Sequence, residues 1–260
     1  MTPVLLEIAD FPAQLRPYMQ GAPVYDVSGH SAAKTYRIDQ DEGFFLKTGQ
    51  TGNLRSEATM AAYFHKLGLG AQVLAYCTDA ERDYLLTARL PGERACEDAY
   101  LEQPERLCEV FAECLWQLHH TPAPDCPCHP LERWLAKACQ GGELCDARLL
   151  NGRTPEEELT LLRARQHIFT HDALTQGDAC LPNVLLRDWT FSGFIDLGGA
   201  GWGDPHVDLY WALWSLEYNL HTTAYADRFM DCYGRQSIDD ERLRLCAALG
   251  AFSDFDTSSL

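Results

Sequence analysis

The stretch from Leu174 to Tyr210, LTQGDACLPNVLLRDWTFSGFIDLGGAGWGDPHVDLY, concentrates the residues best suited to chemistry. Asp178 follows Gly177 and stands five positions before Asn183, and Asp196 opens an Asp-Leu-Gly triplet further on. Two carboxylates and an amide oxygen are hard ligands of the kind magnesium takes. Phosphoryl transfer asks little covalent work of a protein; it needs an oriented hydroxyl and metal ions that neutralise phosphate charge. A single Asp here would do no more than cap a turn, since Asp, Asn and Gly favour turns in any protein. The three residues together suit the transfer of a phosphoryl group.

A hairpin must position them. Pro182 interrupts any helix, and Asn183 ends the irregular loop that starts at Gly177. Val184 to Leu186 reads as a short strand, Arg187 to Trp189 as a turn and Phe191 to Ile195 as the returning strand. The two ends of a hairpin lie side by side, so Asn183 and Asp196 are expected to face one site with Asp178 beside them. Upstream, Phe44-Phe45-Leu46-Lys47 ends an apolar strand in one lysine, and Glu57 opens the following helix. A lysine oriented by a carboxylate can hold the α and β phosphates of a nucleotide. Glu42 and Glu81 are further carboxylates in this part.

The other elements follow from periodicity and breakers. Tyr36 and Ile38 pair with residues 43–47 across a turn at Asp39 to Glu42, and Ala71 to Cys77 and Tyr84 to Ala88 read as strands. Glu57 to Leu67 reads as a helix closed by Gly68. Beyond Pro91-Gly92 helices dominate. Pro104 to His119 places Leu107, Val110, Phe111, Cys114, Leu115 and Leu118 on one face. Leu131 to Cys139, Pro155 to Arg165, Pro205 to Leu220, Ala224 to Tyr233 and Asp239 to Leu249 are further helices. A strand-rich part over 1–90 and a helical part over 91–260 are therefore expected, with a ligand-binding cleft where they meet.

Bulk composition narrows the partners. The chain of 260 residues is 46% hydrophobic and 23% charged, in the range of a globular protein. No apolar run approaches the ~20 residues that span a bilayer, and the opening MTPVLLEIAD lacks a basic segment before its apolar residues, so neither a membrane nor an export signal is expected. The 11 cysteines show no repeating spacing and read as reduced thiols of a cytoplasmic protein; Cys126, Cys128 and His129 lack a second ligand pair for zinc. A net charge of −17 without a basic stripe argues against nucleic acid and fits a polycationic small molecule. A monomer or weak dimer is expected.

The Asp178 region resembles the catalytic segment of the aminoglycoside phosphotransferases, and GDACLPN with FSGFIDLG is especially similar to the 3′-phosphotransferases, or kanamycin kinases. Gly177, Asp178, Asn183, Ile195, Asp196, Gly198, Asp204 and Asp208 match the family pattern. The resemblance implies an α+β, bilobal protein-kinase-like fold with a small strand-rich N-lobe and a larger helical C-lobe. It implies Asp178 as the catalytic carboxylate, Asn183 and Asp196 as magnesium ligands, and Lys47 and Glu57 at the phosphates. It also places a phosphate loop at Ser28, Gly29 and Ser31 and adenine against the backbone at Ala88 and Leu90. The nucleotide is ATP, with GTP as the alternative.

The acceptor implied is an aminoglycoside with a free 3′-hydroxyl, of the kanamycin and neomycin type. Its ammonium groups would meet carboxylates, for which Glu143, Asp146, Glu157 and Glu217 are candidates. Several positions depart from the family. Gln176 stands where His is usual, Gly199 where Arg is usual, Trp214 to Asn219 lack the expected run of charge, and Leu249 to Phe252 replace an acidic pair. Two alternatives stay open: a kinase of the same fold acting on another hydroxylated amine or sugar, and a catalytically silent nucleotide-binding protein.

Overall fold

The computed structural model describes residues 2–29, 32–140, 144–145, 147–150 and 152–252. The chain divides into two compact units. The first comprises residues 2–91 together with Gly193–Gly198; the second comprises 92–192 with 199–252.

In the first unit a short helix α1 (Arg16–Met19) precedes five antiparallel strands: β1 (Val24–Asp26), β2 (Lys34–Ile38), β3 (Phe44–Gln50), β4 (Val73–Thr78) and β5 (Arg82–Ala88). They line up in the order β1-β2-β3-β5-β4, and α2 (Arg55–Lys66) connects β3 to β4. Side chains alternate between the faces of a strand. Leu46 and Leu86 lie opposite each other and join Phe11, Leu15, Met19, Val24 and Ile38 in a buried cluster. The next pair, Lys47 and Leu85, takes the other face, where Leu85 packs against Leu54 and Ala58 at the start of α2. That register turns Lys47 toward α2.

The sequence places the start of that helix at Glu57; the structure starts it at Arg55. The reason is a distant cap. Asp83 of β5 accepts hydrogen bonds at 2.8 Å from the Gly52 amide, in the approach to the helix, and at 3.0 Å from the Leu54 amide, a donor that the helix start leaves unpaired.

The second unit contains α3 (Asp98–Leu101), α4 (Pro104–His119), α5 (Pro130–Cys139), α6 (Pro155–Arg165), α7 (His206–Leu220), α8 (Ala226–Tyr233) and α9 (Asp240–Phe252). Its strands are short: β6 (Glu93–Arg94), β7 (Ala173–Thr175), β8 (Val184–Arg187), β9 (Thr190–Phe194) and β10 (Gly201–Gly203). The order β6-β8-β9 forms one small sheet and β7 pairs with β10 in another. α7 is buried along most of its length, through Val207, Leu209, Trp211, Ala212, Ser215 and Leu216. α9 runs on to Phe252, three residues past the expected end, because Gly250, Ala251 and Phe252 are buried with the rest of that helix. The architecture is α+β, with the antiparallel sheet in the N-terminal region and helices dominating the C-terminal one.

Candidate functional site

The residues singled out by the sequence gather in two groups, one in each unit. In the first, the Lys47 ammonium lies 2.8 Å from Glu57 Oε2 and 2.7 Å from Asp196 Oδ1. Glu57 reaches it from the first turn of α2. Asp196 reaches it because the end of β9 is pinned to this unit. The Phe194 amide donates to Leu69 O at 2.8 Å, and the Phe194 ring packs edge-on against Phe64 of α2. Asp196 then adopts a left-handed φ of 57°, which Asp tolerates better than most residues and which sends the chain into the Leu197–Gly199 turn. Burial alone would lower the Lys47 pKa; the Glu57 and then the Asp196 carboxylates outweigh it and hold the ammonium above the ordinary lysine value.

The loop between β1 and β2 holds Ser28 in place. Asp26 Oδ1 accepts from both the amide and the hydroxyl of Ser28, at 2.9 and 2.5 Å, and the Thr35 amide donates to Ser28 Oγ at 3.0 Å. Gly29 follows with open space around the place a Cβ would take. Ser31 lies outside the described residues. At the end of β5 the Ala88 amide donates to Gln72 O at 2.9 Å, so an adenine acceptor must use another donor. Leu90 lies against Gly193, where a Cβ would stand 2.6 Å from Leu90 Cδ1.

In the second unit Asp178 is held at both oxygens. Asn183 Nδ2 donates to Asp178 Oδ2 at 2.9 Å, and the Cys180 thiol to Oδ1 at 3.1 Å. The same Nδ2 donates to Asp178 O at 2.9 Å. Asn183 thereby commits its nitrogen to Asp178 and keeps its amide oxygen, a hard donor, for another partner. Asp196, in the first unit, carries a carboxylate on a side chain that is 40% exposed. Carboxylate and amide oxygens of this kind fit magnesium and not a thiolate-seeking metal.

The loop that carries Asp178 hangs on Asp208, which is completely buried near the start of α7. Its two oxygens accept from the Gln176 and Gly177 amides, each at 2.7 Å. His119 Nε2 meets Asp208 Oδ2 at 3.1 Å, and since a carboxylate accepts, that nitrogen carries a proton. The other ring nitrogen meets the Tyr233 hydroxyl at 2.8 Å. Gly177 needs to be glycine: its φ is 87°, and a Cβ would stand 2.1 Å from Gly199 O. Gln176, in place of the usual His, accepts the Asp178 amide on its Oε1 at 2.7 Å. A second buried Asp, Asp204, accepts from the Thr170 amide, the His206 amide and His206 Nδ1. His206 Nε2 accepts from the Asp239 amide, so this ring is a neutral Nδ1–H tautomer.

Asp208 was visible in the sequence as part of the Asp-x-x-x-Asp match, without an indication that it holds backbone. His119 and Tyr233 carried no signal, because their meeting depends on how α4 and α8 pack.

The acceptor candidates are dispersed. Glu143 and Asp146 lie outside the described residues. Glu157 closes a capping box at the start of α6, exchanging hydrogen bonds with the backbone and side chain of Thr154. Glu217, exposed on α7, lines a cavity of about 380 Å³ with Tyr210, Trp214, Tyr225 and Arg244. Trp214 and Tyr218 stack nearly parallel, with ring centres 5.0 Å apart.

Comparison with known proteins gives a consistent result. The model of a family described as "Phosphotransferase enzyme family" matches residues 26–246. A probable aminoglycoside 3′-phosphotransferase of Lactococcus lactis subsp. lactis is 38% identical over 253 residues, covering 95% of this chain and 97% of that protein. The crystal structure of an aminoglycoside 3′-phosphotransferase of type VIII aligns with a TM-score of 0.75 at 26% identity, over 92% of this chain and 96% of the other. An aminoglycoside phosphotransferase of Streptomyces rimosus, in complex with ADP and streptomycin, shares the fold with a TM-score of 0.72 at 21% identity, over 95% and 99% of the two chains.

Proposed function

This chain belongs to the phosphotransferase enzyme family, and on that premise we propose that it moves the γ-phosphoryl group of ATP to the 3′-hydroxyl of an aminoglycoside. The observation that carries the reading is the carboxylate of Asp178, fixed at both oxygens in a loop anchored to a buried aspartate. In the step, the acceptor oxygen forms a bond to the γ-phosphorus while the bond from that phosphorus to the β,γ-bridging oxygen breaks, and ADP leaves. The hydroxyl proton passes to Asp178.

Lys47, oriented by Glu57, holds the α and β phosphates in this reading, and Ser28, Gly29 and Ser31 lie along the phosphates with Ala88 and Leu90 at the base. Lys47, Glu57 and Asp196 together carry a charge of −1, which supports uptake of the nucleotide with a divalent cation and not alone. Asn183 and Asp196 would hold magnesium, whose chemistry is to neutralise the charge on the β and γ phosphates. Glu217, Glu143 and Asp146 are the carboxylates proposed to meet ammonium groups of the acceptor. We infer a cytoplasmic enzyme that is a monomer or weak dimer.

The Trp214–Tyr218 stack favours a second reading of the acceptor, in which another hydroxylated amine or a sugar packs on an aromatic face. One experiment separates the two. The purified protein with magnesium and ATP is given kanamycin, a kanamycin analogue lacking the 3′-hydroxyl, and a panel of amino alcohols, with ADP release and phosphorus NMR as readouts. Kanamycin should yield a single 3′-phosphate and the analogue no product. Equal phosphorylation of the analogue would refute the regiochemistry, and turnover of amino alcohols alone would replace the acceptor class.

A further inference from the structure

The transfer chemistry makes no use of Cys180, although this thiol is 2% exposed and lies two residues from Asp178. Its sulfur stands 3.1 Å from Asp178 Oδ1 and 3.9 Å from the carbonyl of Trp211 in α7. Ser215 lies one turn further along α7. Its hydroxyl accepts from the Leu181 amide at 2.9 Å and from Asn219 Nδ2 at 3.2 Å. Asn219 and Ser215 thus hold the backbone of Leu181, the residue that follows Cys180.

We propose that Cys180 is a positioning residue: its thiol holds Asp178 Oδ1 while Asn183 holds Oδ2, so that the carboxylate plane is fixed toward the acceptor hydroxyl. The inference rests on the reading of Asp178 as the group that orients that hydroxyl. A carboxylate turns easily about its last single bond, because rotation between sp³ and sp² carbons has broad minima. One donor on one oxygen leaves that rotation open, whereas a donor on each oxygen closes it. A thiol is also a weak donor. It fixes the direction of Oδ1 while leaving that oxygen more basic than a hydroxyl or ammonium partner would.

The test compares Cys180→Ala, Cys180→Ser and Asp178→Ala in the full-length protein, measuring kcat, both KM values and melting temperature. Cys180→Ala should lower kcat about tenfold with both KM values within about twofold, because only an orienting hydrogen bond is lost. Cys180→Ser restores a donor in nearly the same volume and should recover most of that loss. Parent-like kcat in Cys180→Ala overturns the proposal. So does a Ser variant as slow as the Ala variant, which would make volume the cause. If Asp178→Ala turns over like the parent, the assignment of Asp178 itself falls, which is a different result.

A readout independent of turnover is the S–H stretching band of Cys180, identified by subtracting the infrared spectrum of Cys180→Ser. Removing the acceptor oxygen in Asp178→Ala should move that band to higher frequency. An unmoved band overturns the proposal even where Cys180→Ala is too unstable to assay.

Discussion

In the first unit three charged groups hold one another; in the second a single carboxylate is held by an amide and a thiol, on a loop suspended from a buried aspartate. The Lys47 group is reached from solvent at one side, since Asp196 is 40% exposed while Lys47 and Glu57 are 16% and 11% exposed. Its members can exchange partners when phosphates arrive. The Asp178 loop has little such freedom. Two backbone amides end on Asp208, another ends on the Gln176 side chain, and Leu181 ends on Ser215. The difference fits the two tasks. A nucleotide must be taken up and released in each cycle, whereas the group that orients a hydroxyl must not move.

Substitutions at Asp178 and Asp208 break this comparison in different ways. Asp178→Ala should lower kcat by about 10³-fold while leaving the nucleotide KM within a few-fold, since in the proposed role this residue acts on the acceptor and not on the phosphates. Steady-state kinetics at saturating acceptor measures both; a kcat within a few-fold of the parent would reject the role. Asp208→Ala should act on stability instead. It strands the Gln176 and Gly177 amides and a buried His119, for a cost of about 3–5 kcal/mol. Chemical denaturation should show this loss, and activity should fall because the loop is no longer held. A variant as stable as the parent would mean that the loop has other anchors.

Lys47→Ala comes next in size. The charge facing the phosphates is lost, and the nucleotide KM should rise about tenfold with a smaller fall in kcat. The acceptor KM should stay within about twofold, because the proposed role gives Lys47 no part in acceptor binding. If the two KM values rise together, the independence of the two groups is wrong.

The sequence made some of this visible and hid the rest for definite reasons. Lys47 and Glu57 could be paired because an apolar strand ending in lysine and the helix after it resemble the family; the register that places Lys47 on the α2 face was not legible. The Lys47–Asp196 contact joins residues 149 positions apart and depends on Phe194 docking beside α2. β6, β7 and β10, of two to three residues each, are too short to show a period and exist only through their partners. Asp83 caps α2 from 29 positions away, which explains why the start of that helix was misplaced. Glu157 is the opposite case. Thr154-Pro155-Glu156-Glu157 carries the Thr-x-x-Glu spacing of a capping box, so its local role could have been read before any acceptor contact was considered.

The smallest expected effect sharpens the comparison on the acceptor side. Glu217 is exposed on α7 and lines the cavity with Tyr210 and Trp214, on a helix whose other side holds the catalytic loop through Ser215. An exposed carboxylate pairs with an ammonium group weakly, because water and salt screen the attraction to about 0–1 kcal/mol. Glu217→Gln should therefore raise the KM of a polyamine acceptor by only about two- to fivefold and leave kcat and the nucleotide KM unchanged. The effect should shrink as salt is raised from low to physiological ionic strength, since screening removes what the charge contributes. Substituting Trp214 by Leu provides the contrast. If the aromatic face and not the carboxylate binds the acceptor, the KM should rise in this variant instead, and the change should be insensitive to salt. A salt-dependent loss in Glu217→Gln alone would place an ammonium group beside this carboxylate; a salt-independent loss in Trp214→Leu alone would replace ion pairing by ring stacking as the means of acceptor recognition.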